Sequence, residues 1–79
     1  MVTPESIQLN ITQGMDTQHL QVVGDGRHFE AVVVSDEFAG KSRVQRHQLV
    51  YKALGDRMRE EIHALSMKTF TPQEWQSQK

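Results

Sequence analysis

With 79 residues, the chain has room for one small domain spanning residues 1–79. It has no cysteine, which excludes a disulfide staple, a thiol nucleophile and any metal site built on its own thiolates. Hydrophobic residues make up 37%, enough for a modest core, yet no apolar run nears the ~20 residues of a membrane span. The net charge is −1 and the sequence pI is near 6.4, below the pI of about 9 usual for domains built to grip nucleic acid.

Thr3-Pro4-Glu5 reads as N-cap, first helical residue and first-turn acid of a helix that runs to about Gln13 and ends at Gly14. Ile7 and Ile11, at i and i+4, share its apolar face. Leu20 to Val23 reads as a strand and His28 to Ser35 as a longer one. Gly24-Asp25-Gly26-Arg27 between them is a tight-turn signal, because Asp and Gly tolerate positive φ. Ala31 to Val34 is continuously apolar, the mark of a central strand.

Asp36 to Ser42 reads as a loop, with Ser42 capping the next helix. At 100° per residue, Val44, His47, Val50, Tyr51, Leu54 and Met58 fall within an arc of about 120°, the expected buried face. Arg46 and Lys52 point away from it. Gly55-Asp56 interrupts this helix after Ala53 or Leu54, and a short helix follows over Arg57 to Glu61. Ile62 to Phe70 is a third strand, with Leu65, Met67 and Thr69 on one side. Thr71-Pro72-Gln73-Glu74 is a capping box that opens a last helix carrying Trp75.

The element order is αββααβα. The hairpin makes the first strand pair antiparallel, and a right-handed helical crossover makes the second pair parallel. The expected fold is α+β: a three-stranded mixed sheet with helices packed on one face.

Charge is unevenly spread. Residues 1–40 hold six acids and one base, a net −5; residues 41–79 hold eight bases and four acids, a net +4. Lys41, Arg43, Arg46 and Lys52 stand in a stretch without an acid. Such a stretch can attract phosphates or an acidic protein surface, or can simply be a solvated helix face.

Catalytic motifs are missing. There is no G-x-S-x-G elbow, no Walker A loop and no G-x-G-x-x-G. His28-Phe29-Glu30 resembles the H-x-E of zinc deaminases, but its P-C-x-x-C partner needs cysteines this chain lacks. The chain reads as a non-enzyme. Of its four histidines, His47 lies on the core arc and reads as structural. His19, just before the first strand, reads as solvent-facing. His28 and His63 begin the second and third strands, which are parallel, so both sit at one end of the sheet. Two imidazoles leave a metal or cluster two donors short of four, so the missing ligands would come from another molecule.

Phe38-Ala39-Gly40-Lys41-Ser42-Arg43, Arg46-His47, Ile62-His63-Ala64-Leu65 and Thr71-Pro72-Gln73-Glu74-Trp75, in this order and spacing, resemble the BolA family. Gly24-Asp25-Gly26-Arg27-His28-Phe29 is most similar to its IbaG-like bacterial branch. The resemblance spans Thr3 to Trp75 and implies a class II KH-like fold. It implies an adaptor in iron–sulfur handling and stress response that pairs with a monothiol CGFS glutaredoxin and shares a [2Fe-2S] cluster. The glutaredoxin supplies a cysteine and a glutathione thiolate, and His63 of the I-H-A motif supplies an imidazole. The family's second ligand is a Cys or His in the loop between the first two strands. Here only His28 offers an imidazole there, with Asp25 as an oxygen alternative. The resemblance also allows a homodimer and a DNA-binding regulator, for which Lys41, Arg43 and Arg46 are the phosphate-facing candidates. Against the latter, the KH G-x-x-G loop is absent. The N-terminal MVTPESIQLN has no signal or targeting pattern, so the expected location is a bacterial cytoplasm.

Overall fold

Three capping boxes set where the helices begin. In the computed structural model, which describes residues 3–25, 27–55 and 65–78, Thr3 Oγ1 accepts from the Ser6 amide at 3.1 Å while Ser6 Oγ accepts from the Thr3 amide at 3.0 Å. This pair opens α1, Pro4–Gly14. Ser42 and Gln45 do the same for α2, Arg43–Leu54. Thr71 and Glu74 do so for α3, Pro72–Ser77. Each box satisfies amides that the first helical turn leaves without intrahelical partners.

The strands are β1, His19–Gly24, β2, Phe29–Val34, and β3, Leu65–Phe70. β2 is central, as its apolar run requires. It pairs antiparallel with β1, His19 opposite Val34, and parallel with β3, Phe29 opposite Leu65. A single 3-10 turn, Asp36–Phe38, interrupts the expected loop, and its Ser35 hydroxyl caps the Glu37 amide. The expected short helix over 57–61 and the first three residues of the expected third strand lie outside the described residues.

Ile7 and Ile11 of α1, Val22, Phe29, Ala31, Val33 and Met67 of the sheet, Phe38, and Val50 and Leu54 of α2 form one core. α1 and α2 therefore cover one sheet face. α3 sits at the sheet's end and lends Trp75 to the other face, where its ring stacks on His19 with centroids 5.0 Å apart and tilts against Phe70 at 5.4 Å. His19 is exposed, as expected, but it has this ring partner 56 residues away in the chain.

The buried face of α2 departs from the expected arc. Val50 and Leu54 are buried, but Val44 is 65% exposed and Tyr51 40% exposed. Arg46, expected to point away, is largely covered, with only 13% of its side chain exposed. The helix is rotated toward its Arg46–Ala53 side because its neighbours sit there. Phe38 lies beneath the Arg46 guanidinium, and α1 crosses at Ala53.

That crossing explains Gly14. A methyl group on Gly14 would lie 2.6 Å from the Ala53 Cα and carbonyl oxygen. Gly14 has no positive φ and is itself the last residue of α1, so it is needed for close helix contact rather than as a left-handed cap. Gly55 does need glycine's freedom: its positive φ of 81° ends α2, and its amide donates to the Tyr51 carbonyl.

Candidate functional site

Two regions hold the residues singled out by sequence. The first is the end of the sheet where β2 and β3 begin. Asp25 Oδ1 accepts from the Arg27 and His28 amides, both at 2.9 Å, and the Asp25 amide donates to the His28 carbonyl at 3.2 Å. The His28 and Arg27 amides hold the Asp25 carboxyl below its ordinary value. The turn thus forms by side-chain capping, since Asp25 has no positive φ. Asp25 Oδ1 thus accepts two backbone amides, and these bonds do not involve Oδ2. The same bonds fix the backbone at His28, whose side chain is exposed one residue before Phe29, the residue paired with Leu65.

His63, two residues before Leu65 in sequence, lies outside the described residues. Among the described residues, no three His, Cys, Asp or Glu side chains are grouped to hold a metal ion. His28 is an exposed imidazole at the sheet's end.

The second region lies where α2 starts. Lys41 and Arg43 are exposed, Arg46 is not. Arg46 donates from Nη1 and Nη2 to Glu74 Oε1 and Oε2 at 2.7 and 3.2 Å, from Nε to the Lys41 carbonyl at 3.0 Å, and from Nη1 to the Thr69 carbonyl at 3.3 Å. Its carbon centre lies 5.8 Å from the centroid of the Phe38 ring. This corrects its reading as a phosphate-facing residue: its donors already tie the α2 entrance to β3 and α3. The Arg46 guanidinium, helped by the Thr71 amide, lowers the Glu74 carboxyl to about 2.

His47 is half-buried rather than sealed in the core. Its Nε2 is shut from solvent and has no hydrogen-bond partner. Burial, with Arg43 adding repulsion, lowers its pKa. Sequence reading missed the Arg46–Glu74 and His19–Trp75 pairs. The capping box marked Glu74 as a helix start, but nothing local announced that its carboxylate also reaches a residue 28 positions away.

No helix among the described residues is long and apolar enough to cross a membrane. Comparison with known proteins places this architecture. The family model described as BolA-like protein matches residues 2–74. Arabidopsis thaliana protein BOLA2 is 44% identical over 80 residues, covering 95% of this chain and 85% of that protein. The Escherichia coli K12 acid stress protein IbaG is 40% identical over 70 residues, covering 87% and 83%. The Haemophilus influenzae DNA-binding transcriptional regulator BolA is 44% identical over 55 residues, covering 70% of this chain and about half (53%) of that protein. Among solved structures, a BolA protein homologue from Coxiella burnetii superposes with a TM-score of 0.80 at 47% identity, covering 96% and 99%. A three-stranded mixed sheet in this strand order, the capped helices and a match over nearly the whole sequence converge on one conclusion: the chain belongs to the BolA family.

Proposed function

We propose that the chain is a non-enzymatic adaptor that pairs with a monothiol glutaredoxin, shares a [2Fe-2S] cluster with it and passes that cluster on. The observation that carries the reading is the exposed His28 imidazole at the end of the sheet where β3 begins, on a chain whose described residues offer no complete metal site. His63 of the I-H-A motif supplies the principal imidazole and His28 the second, while the partner supplies thiolate donors. A cluster held partly by neutral imidazole has a higher reduction potential than an all-thiolate one. Acid weakens imidazole ligation in general, because the ligating nitrogen must be unprotonated.

The test is reconstitution with a monothiol glutaredoxin, iron, sulfide and glutathione, followed by size-exclusion chromatography and visible circular dichroism. A coloured heterodimer is expected. Association without iron would reduce the function to partner binding alone.

A second reading, a DNA-binding regulator, is supported by the name of the Haemophilus influenzae relative and by the exposed Lys41 and Arg43. The engagement of Arg46 with Glu74 counts against it. DNA affinity carried by several phosphate contacts would fall steeply with salt, and absent or salt-independent binding removes this reading.

A further inference from the structure

Between the start of α2 and β3 runs a groove of about 470 Å³, lined on the helix side by Lys41, Arg43, Arg46 and His47 and on the strand side by Met67 and Lys68. From this groove we infer a docking site for a short, extended, acidic segment of a partner protein, seated along the outer edge of β3. The inference does not depend on the cluster reading.

Two observations carry it. First, charge: among the described residues the only ion pair is Arg46–Glu74, so the exposed Lys41 and Arg43 line the groove without a carboxylate partner. Glu74 already holds Arg46 through both carboxylate oxygens, so one carboxylate is seated beside this wall.

Second, the strand edge. β3 is an edge strand. The Ser35 amide donates to the Phe70 carbonyl on the β2 side, so by alternation Lys68 also turns its backbone groups toward β2, while Met67 and Thr69 turn theirs outward. The Thr69 carbonyl is indeed taken from outside by Arg46. The outward N–H and C=O of Met67 have no partner among the described residues. An extended peptide can satisfy both, as strand addition requires.

Other occupants fit less well. A second copy would bring its own Lys68 to the same edge and set like charges together. Nucleic acid has no strand backbone to pair with Met67. The net −5 carried by residues 1–40 also repels a long polyanion more than a short one.

The test is an NMR titration of the full chain with an acetylated, amidated peptide of alternating glutamate and valine. The controls are the same peptide with glutamine for glutamate, a single-stranded oligonucleotide of equal charge, and inorganic phosphate. Amide shifts confined to 41–47 and 67–70, slowed exchange of the Met67 amide, and affinity reduced roughly tenfold or more in the doubly substituted Lys41→Glu, Arg43→Glu chain are expected. Both substituted residues are exposed, and the amide dispersion of the variant's own spectrum checks that it folds. Equal binding of the glutamine peptide, tighter binding of the oligonucleotide or of phosphate, self-association through β3, or no shift at millimolar peptide would each overturn the inference.

Discussion

Arg46 grips Glu74 through both carboxylate oxygens, and the same guanidinium closes on the Lys41 and Thr69 carbonyls above the Phe38 ring. One side chain thus joins the loop before α2, the end of β3 and the C-terminal helix. Arg46→Ala removes all of these contacts and leaves two backbone carbonyls without their donor. A fall in Tm of about 4–8 °C or more is expected, since for a domain of this size that range corresponds to about 1 kcal/mol. Arg46→Lys keeps the charge but not the fork, and restores only part of the loss. Thermal unfolding of the two variants side by side checks this.

The same pair gives a pH dependence with a definite sign. The Glu74 carboxyl is lowered to about 2 from an ordinary 4.5. A depressed folded-state value means that its contribution is complete above 4.5 and is lost as pH falls toward 2. The Tm difference between the native chain and Glu74→Gln is therefore expected to shrink across that acid window. Because Glu74 is half exposed, the difference also shrinks with salt. A difference that stays constant between pH 5 and pH 2 contradicts the pairing.

Gly14 faces the Ala53 backbone too closely for any side chain. Gly14→Ala would be favourable by helix propensity alone, yet the expected outcome is a loss of about 1–3 kcal/mol, the cost of overpacking a helix contact. Urea unfolding decides between the two signs.

The rotated face of α2 makes a further contrast. Leu54→Ala should cost about 2–5 kcal/mol, as for buried aliphatic side chains, whereas Val44→Ala should stay within about 0.5 kcal/mol. Equal costs would restore the face expected from periodicity.

That contrast marks how far the sequence was legible. Helix starts were readable because capping is local: Thr3, Ser42 and Thr71 each stand three residues before their reciprocal partner. The central place of β2 was readable from Ala31 to Val34, and the parallel pairing from the crossover length. Which side of α2 faces inward was not readable, because Val44 is as apolar as Val50, and the choice was made by Gly14 and Phe38 in other elements. Of the site, His28 stands exposed one residue before β2. Arg46 did not prove free, because the partner that claims it lies across the fold.

The most direct test of the central proposal is the visible circular dichroism of the reconstituted glutaredoxin complex carrying His63→Ala or His28→Ala. The account predicts that His63→Ala abolishes or reshapes the cluster spectrum while the two proteins still associate, and that His28→Ala perturbs it. A spectrum unchanged by His63→Ala would contradict it.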